Sequence, residues 1–259
     1  MRRPIVSFLS AILVAAGSPL AAEPRLSAHP GQVTADVLPD GVSPVGKSAF
    51  AYRPTGLTGA APGLLLLFHG AGGDARRFID RFKAEADRRR LILLSIQSID
   101  NTWDLVLRNS RDRWSIGRAS PVHATGADGR RVNAALRQLF AQIAIDPKRV
   151  VAAGFSDGAS YALSLGLDND QLFSGIVALA PGFVAEGTAT TRHRIAIAHG
   201  RSDRILSYAN AERIASDLRN RGMPVIFIPF DGDHMVESGS LAAALDFVLP
   251  PTGLPVTHL

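Results

Sequence analysis

The sequence predicts a single-domain α/β protein whose core is a doubly wound, mostly parallel β-sheet. Apolar runs of about five or six residues recur along the chain and are separated by segments with helical periodicity. Strands that are apolar throughout their length indicate a sheet covered on both faces. The chain has 259 residues, 46% of them hydrophobic, which is enough to bury one such core. Strands and helices are therefore expected to alternate, joined by right-handed crossovers.

The predicted elements follow in chain order. Ser48–Arg53 is expected to be an antiparallel entry strand. The remaining predicted strands are Leu64–Phe68, Leu91–Gln97, Arg149–Ala153, Gly175–Ala180, Arg194–Ala198 and Val225–Phe230. The predicted helices are Ala75–Arg89, Arg131–Ile143, Asp157–Gly166, Tyr208–Arg221 and Gly239–Leu249.

Residues 1–22 have the pattern of a secretory signal peptide. Arg2 and Arg3 precede an apolar run, and small residues follow up to Ala22. The apolar run is too short to cross a bilayer. The alternative is that this segment is a first strand of the domain. We expect residues 23–259 to form the domain, and the protein to be exported, periplasmic or secreted, with no stable membrane span.

Charge and cysteine content exclude some classes of protein. Removal of residues 1–22 lowers Lys plus Arg from 28 to 26 while Asp plus Glu stays at 23, which leaves a charge of about +3. Such a mildly basic chain lacks the pattern of a nucleic-acid-binding protein, so no nucleic-acid partner is expected. The sequence contains no cysteine, which excludes disulfides and a thiol nucleophile.

Ser156 lies in the pattern Gly-x-Ser-x-Gly, between a predicted strand and a predicted helix. This is the layout of a nucleophile elbow, in which a sharp turn lifts the serine hydroxyl clear of the sheet. Gly154 and Gly158 remove the Cβ atoms that would clash in such a turn. The alternative is that Ser156 is only a helix N-cap, a position where serine is favoured.

A serine hydroxyl is a poor nucleophile unless a positioned base takes its proton. His234 is the candidate base because it follows an apolar strand in a short polar loop before the last helix. Asp203 follows another apolar strand and is the candidate acid that orients the imidazole. His199 is an alternative base, and Asp231 and Asp233 are alternative acids. These two aspartates more naturally shape a turn with the glycine between them.

A glycine-rich turn follows the strand Leu64–Phe68 and begins at His69. Glycines let a backbone approach a substrate carbonyl closely. We expect the N–H of Ala71 and the N–H of Asp157 to form an oxyanion hole, with His69 stabilising the loop.

These motifs together resemble the α/β-hydrolase-fold serine esterases, in which serine, acid and histidine follow one another in the chain. The closest resemblance is to the bacterial secreted group described as carboxylesterases, phospholipase/carboxylesterase-like proteins or polyhydroxybutyrate depolymerase-like esterases. It extends from the His69 turn to His234 and includes the segment 101–105. Many relatives carry disulfides and a cysteine in the oxyanion loop, which this chain lacks. The resemblance therefore implies the fold and the reaction class more firmly than a substrate.

The segment 98–130 has little hydrophobic periodicity and carries both tryptophans. A loop of this length in a compact domain is usually functional or disordered. One interpretation is that Trp103 lines the acyl site and that Arg111 and Arg113 meet an anionic part of the substrate. The other is that this is a surface loop whose tryptophans pack in the core.

The resulting hypothesis is a serine carboxylic-ester hydrolase that forms an acyl-enzyme and needs no cofactor and no metal. Its partner would be a small-molecule, lipid or polymer ester, such as a short-to-medium acyl ester or a polyester oligomer. A serine peptidase or amidase would use the same three residues. A hydrolase-fold binding protein without catalytic activity is the third possibility, and such proteins usually lack one of the three, whereas all are present here.

Overall fold

The computed structural model describes residues 25–31, 33, 36–112, 126–185 and 193–249. The predicted signal peptide, residues 1–22, lies outside these residues. The described residues form one eight-stranded sheet with helices packed on both faces. The prediction of a single-domain, doubly wound, mostly parallel α/β protein is confirmed.

The strands of the described residues are β1 (Gly41–Pro44), β2 (Ala49–Arg53), β3 (Gly63–Phe68), β4 (Leu91–Ile96), β5 (Val150–Phe155), β6 (Gly175–Leu179), β7 (Arg194–Gly200) and β8 (Val225–Phe230). Their order in the sheet is β1-β2-β4-β3-β5-β6-β7-β8. The pairings of β1 with β2 and of β2 with β4 are antiparallel, and the others are parallel. Each predicted strand is present within about two residues of its expected bounds. The edge strand β1 was not predicted, because it is short and contains glycine and proline, which weaken a strand pattern.

The helices of the described residues are α1 (Ala75–Phe78), α2 (Lys83–Arg89), α3 (Asp104–Asp112), α4 (Ala127–Phe140), α5 (Asp157–Asp168), α6 (Tyr208–Asn220) and α7 (Ser238–Val248). The expectation of one helix over 75–89 is wrong, since a 3-10 turn at Ile79–Arg81 separates α1 from α2. The residues Phe78, Ile79 and Phe82 on either side of this turn are all buried. The local change of helical period allows these close neighbours to reach the core together.

The prediction that 98–130 is a loop is also wrong in part, because this segment contains α3 and the start of α4. The Asp128 carboxylate accepts hydrogen bonds from the N–H of Asp104 at 2.8 Å and from the N–H of Ile99 at 2.9 Å. Asp128 thus satisfies donors at the start of α3 from a position 24 residues away. The sequence patterns that mark a helix start consist of a capping residue next to the helix. A cap from a distant position such as Asp128 therefore could not be recognised from the sequence.

The two faces of the sheet pack against different helices. Leu65 and Leu67 of β3 lie in a cluster with residues of α1, α2 and α7. Leu64 and Leu66 lie in the cluster with residues of α4 and α5, as expected from the alternation of side chains along a strand. The carboxyl ends of β3, β5, β7 and β8 meet at one edge, where parallel α/β sheets bind ligands. Among the described residues, no helix is both long and apolar enough to cross a membrane.

Candidate active site

Ser156 lies between β5 and α5 in a conformation that L-residues rarely adopt, with φ of 58° and ψ of −123°. Positive φ costs backbone free energy at a residue other than glycine. The surrounding structure holds it there, because the Ser156 N–H donates to the Leu179 carbonyl of β6 at 2.9 Å. The turn between β5 and α5 therefore has the strained geometry expected of an elbow.

The two glycines of the motif are required by close backbone approaches. A Cβ atom on Gly154 would collide with the carbonyl of Gly158. A Cβ atom on Gly158 would collide with the carbonyls of Phe68 and His69 at the end of β3. The glycines thus let the elbow pack directly onto the end of β3 and the start of the glycine-rich turn.

The three residues predicted as a triad are brought together at this edge. The Nε2 atom of His234 lies 2.9 Å from Ser156 Oγ, and its Nδ1 atom lies 2.7 Å from Asp203 Oδ2. The side chain of Asp203 is fully buried, whereas that of His234 is 14% exposed. The Phe155 ring packs against the His234 ring with the centroids 4.7 Å apart. Hydrogen bonds therefore connect the carboxylate, the imidazole and the hydroxyl in series.

The Asp203 carboxylate is held by several donors. Its Oδ1 atom accepts the N–H groups of Ile205 at 2.8 Å and Leu206 at 2.9 Å. Burial by itself raises the pKa of Asp203, but the hydrogen bonds from His234 and from these two amides outweigh burial and lower the pKa below its ordinary value. Asp203 is therefore a carboxylate at neutral pH, and a carboxylate accepts the Nδ1–H of His234.

The alternative base and acids named from the sequence take other positions. His199 is fully buried, and its Nε2 lies 3.0 Å from Asp203 Oδ2 and 3.0 Å from the Leu206 carbonyl. Burial lowers the pKa of His199, so its imidazole is neutral. Asp233 accepts the backbone N–H of His234 at 2.8 Å and thereby shapes the turn. Asp231 is 97% exposed on its side chain and pairs with Arg201.

The glycine-rich turn lies beside the elbow. A Cβ atom on Gly70 would lie only 3.2 Å from the Cβ of Ser156, so the backbone of the turn runs directly past the serine. Ala71 follows Gly70, and Asp157 is the first residue of α5. Neither the Ala71 N–H nor the Asp157 N–H has a hydrogen-bond acceptor within the described residues. Two donors therefore remain available next to Ser156.

The segment 101–103 contacts both sides of this site. The Asn101 carbonyl accepts the N–H of Gly72 in the glycine-rich turn at 2.6 Å. The hydroxyl of Thr102 donates to the Asp157 carboxylate at 2.6 Å, and the indole N–H of Trp103 donates to the His69 carbonyl at 2.8 Å. These bonds fix the positions of the turn and of the first residue of α5 relative to each other.

His69 stabilises the turn from within. The Ser98 N–H donates to His69 Nε2 at 3.3 Å, so the Nδ1 atom carries the proton and donates to the Gly70 carbonyl at 2.7 Å. Burial lowers the pKa of His69. This neutral imidazole has the loop-stabilising place expected of it.

The interpretation of Trp103 as part of the acyl site is wrong. Its side chain is fully buried and stacks on Tyr161 with the ring centroids 4.6 Å apart. The ring of Phe68 packs edge-on against it at 5.1 Å. An indole enclosed in the core presents no face to a substrate. Arg113 lies outside the described residues, as does the side chain of Arg111.

Several residues at the site were not found from the sequence. Thr102 and Asp128 act through partners 55 and 24 residues away, and their types are common in loops. The contact of His199 with Asp203 could have been suspected from its place at a strand end four residues before Asp203. Its geometry depends on how the loop after β7 folds back, which no local pattern encodes.

An eight-stranded sheet of this strand order, with a serine elbow after β5 and an acid and a histidine after β7 and β8, defines the α/β-hydrolase fold. Within that class, the chain belongs to the Phospholipase/Carboxylesterase family, which matches residues 58–249.

Individual proteins are similar to this chain in sequence or in fold. An acetylxylan esterase from Coprinopsis cinerea is 29% identical over 155 residues, which are 58% of this chain and 37% of the relative. The chain thus spans little more than a third of that protein's length. The crystal structure of esterase PE8 is similar with a TM-score of 0.58 and 21% identity, over 76% of this chain and 95% of the esterase. A Bacillus cereus carboxylesterase gives a TM-score of 0.56 and 19% identity, over 77% and 92% of the two chains. These structural similarities support the fold.

Proposed function

We propose that this protein is a serine carboxylic-ester hydrolase in which Ser156, His234 and Asp203 are the nucleophile, the base and the orienting acid. The observation that carries the proposal is the series of hydrogen bonds from Asp203 through His234 to the Ser156 hydroxyl, at 2.7 and 2.9 Å. Membership in the Phospholipase/Carboxylesterase family supports the same reaction class.

In the first half of the reaction, Ser156 Oγ attacks the ester carbonyl carbon while His234 Nε2 takes the hydroxyl proton. The Asp203 carboxylate, kept ionised by its donors, stabilises the imidazolium that forms. The tetrahedral intermediate then collapses, and the imidazolium gives its proton to the leaving alcohol. The acyl group remains bound to Ser156 as an ester.

In the second half, water attacks the acyl-serine while His234 takes the proton of that water, and the imidazolium then returns a proton to Ser156 Oγ as the carboxylic acid leaves. The N–H groups of Ala71 and Asp157 would stabilise the oxyanion in both halves of the reaction. Loss of one such donor typically raises the barrier by about 3 kcal/mol. Because these donors are backbone groups, they need no side chain and no metal ion.

The substrate class we propose is an ester with a short-to-medium acyl group, or an oligomer of a polyester. The name of the Coprinopsis cinerea relative, an acetylxylan esterase, supports a short acyl group. A peptidase or amidase with the same three residues is the second candidate, because the geometry suits acyl transfer from either bond. A matched p-nitroanilide distinguishes amide from ester cleavage.

Hydrolysis of p-nitrophenyl esters of increasing acyl length, beside a triglyceride and polyester oligomers, tests the proposal. The wild-type chain is expected to hydrolyse the short esters without loss of rate in EDTA. Ser156→Ala should lower kcat by several orders of magnitude, because the covalent bond can no longer form. Ser216→Ala, at an exposed serine of α6, is the control and should retain full activity. Equal activity of wild type and Ser156→Ala would overturn the proposal.

We also propose that the protein is exported, so that it acts in the periplasm or outside the cell. The pattern of residues 1–22 supports this, with two arginines, an apolar run and small residues in order. The N-terminal sequence of the protein purified from its producing cell is expected to begin between Gly17 and Glu23. A soluble product that keeps Met1 would contradict export.

A further inference from the structure

A cavity of about 320 Å³ opens beside the elbow, and nothing in the reaction described above uses it. The turn from His69 to Asp74 forms one side of the cavity and Phe155 another. Arg77 and Arg81, from α1 and the 3-10 turn that follows it, complete the lining with Phe78. The cavity is therefore lined both by the glycine-rich turn and by two cationic side chains.

Two residues that line the cavity contact the proposed nucleophile and base. Gly70, which lines it, packs against Ser156, and Phe155, which also lines it, packs against the His234 ring at 4.7 Å. In ester hydrolysis the imidazolium gives its proton to the departing alkoxide. The alcohol portion of the ester must therefore lie next to His234, and Phe155 connects His234 to this cavity.

The cavity has an excess of positive charge. Arg77 and Arg81 are exposed, and neither side chain pairs with an acid among the described residues. The nearby carboxylate of Asp80 pairs with Lys83 instead, at 2.6 Å. Asp74 also lines the cavity, but its Oδ1 atom already accepts the N–H of Arg77 at 2.8 Å. The cavity is thus lined by two guanidinium groups and one carboxylate. Guanidinium groups bind the oxygen atoms of carboxylates and phosphates well.

We propose that this cavity is a subsite for an anionic group, a carboxylate or a phosphate, on the alcohol portion of the ester. The proposal rests on the proposed function and names its substrate class. Arg77 and Arg81 contact the anion and so determine specificity, while Ser156 and His234 perform the reaction. The role suggested from the sequence for Arg111 and Arg113 stays a separate prediction, since their side chains lie outside the described residues.

Three acetate esters that share an acyl group test this subsite: neutral 4-acetoxybenzamide, 4-acetoxybenzoate and 4-acetoxyphenyl phosphate. The measured quantity is kcat/KM for each anionic ester relative to the neutral one. The double variant Arg77→Gln/Arg81→Gln is expected to lower this ratio about 5- to 10-fold at low salt, the effect of losing two solvent-exposed ion pairs. Added salt should lower the wild-type ratio in the same direction. The two anionic esters show whether a planar or a tetrahedral anion is preferred.

The matched control is Arg76→Gln, since Arg76 is exposed on α1 but does not line the cavity. It should leave the ratio unchanged. The subsite is overturned if the double variant keeps the wild-type ratio, or if Arg76→Gln lowers it equally. In either case hydrolysis of 4-acetoxybenzamide leaves the proposed function intact. If none of the three esters is hydrolysed, both proposals are overturned.

A separate observation concerns the carboxylate of Asp203, whose Oδ2 atom contacts two imidazoles. His234 Nδ1 approaches it at 2.7 Å and His199 Nε2 at 3.0 Å. His199 Nε2 also faces the Leu206 carbonyl at 3.0 Å. Since both neighbours are acceptors, Nε2 must carry the proton, and its N–H donates to the Leu206 carbonyl while it contacts Asp203 Oδ2. Its Nδ1 atom has no partner among the described residues.

We infer that His199 is a positioning residue for the proposed acid. With Oδ1 held by two amides and Oδ2 held by His199, the carboxylate plane is fixed and a lone pair of Oδ2 stays directed at His234. This inference also rests on the proposed function. Misplacement of a catalytic group by about 1 Å can cost about a hundredfold in rate.

Two variants of His199 separate positioning from packing. His199→Leu removes the donor, and His199→Gln keeps an N–H at a similar reach. We expect kcat to fall about 10- to 100-fold in His199→Leu with KM unchanged, and to recover most of its value in His199→Gln. Rates are expressed per site that a fluorophosphonate labels, so that unfolded protein is not counted. Equal loss of kcat in both variants, or no loss in His199→Leu, would overturn the positioning role.

Discussion

Asp203 is the most closely held side chain of the proposed triad. Two backbone amides and two imidazoles surround its carboxylate, and the net effect lowers its pKa. A depressed pKa means that the charge persists below the ordinary range of an aspartate and is lost only as the pH falls through the lower value. Asp203 should therefore stay ionised on mild acidification.

The variant Asp203→Asn tests this role. The amide can donate to His234 where the carboxylate accepted, which favours the wrong imidazole tautomer, and kcat is expected to fall by about 10³- to 10⁴-fold. Asp233→Asn is the matched control, because Asp233 accepts only backbone N–H groups near the site and should change kcat little. Steady-state kinetics of both variants on p-nitrophenyl acetate provide the measurement. A larger loss in Asp233→Asn would identify Asp233 as the acid.

The roles of these residues were predictable to different degrees. Ser156, Asp203 and His234 each lie within four residues of the end of an apolar strand, so a local pattern was enough to select them. The sequence offers both Asp203 and Asp233 as the acid, because Asp233 is adjacent to His234. Only the path of the chain determines which carboxylate reaches the imidazole. The hydrogen bond of His199 required knowledge of the packing around Asp203.

The segment 101–103 illustrates how an element can be important to the site without touching a substrate. Three hydrogen bonds, one from the Asn101 backbone and two from the Thr102 and Trp103 side chains, connect the glycine-rich turn, the end of β3 and the start of α5. The sequence identified the segment as unusual and left two environments open for Trp103, the acyl site and the core, and the structure places it in the core. Burial of a tryptophan in a polar stretch depends on Phe68 and Tyr161, which lie far away in the sequence.

Trp103→Ala is expected to destabilise the protein by about 3–5 kcal/mol, the usual cost of removing a large buried aromatic side chain. The order of preference among ester substrates should stay the same, because the indole is enclosed in the core. Chemical denaturation gives the free energy of unfolding, and the p-nitrophenyl ester panel gives the preference. A shift in acyl-length preference at unchanged stability would place Trp103 at the substrate after all.

On the scale of the whole molecule, the sheet was the most predictable feature. Its strands are continuous apolar runs, and their burial on both faces leaves little freedom of assignment. The two elements that were missed have different causes. The edge strand β1 is short and contains glycine and proline, whereas α3 depends on Asp128 of another helix. Long-range contacts of this kind leave no local periodicity in the sequence.

Two buried histidines, His69 and His199, and the partly buried His193 should make the stability of the fold sensitive to mild acid. Burial lowers the pKa of His69, His193 and His199 below the ordinary value of about 6.5. At pH values between the lower folded pKa and the unfolded pKa, these histidines bind more protons in the unfolded chain than in the folded one. The free energy of unfolding that they contribute above about pH 6.5 is therefore lost as the pH falls. The melting temperature is expected to decrease from pH 7.5 to pH 5.5. A melting temperature that increases over this range would contradict the neutral state of these imidazoles.

The central claim is that Ser156 is the nucleophile of an esterase, and covalent labelling tests it most directly. The protein is incubated with a fluorophosphonate and then examined by mass spectrometry of the intact chain and of its peptides. We expect one adduct per chain, on Ser156, with ester hydrolysis lost in proportion to labelling and no adduct on the Ser156→Ala variant. An adduct on another residue, or full hydrolysis by a completely labelled chain, would contradict the claim.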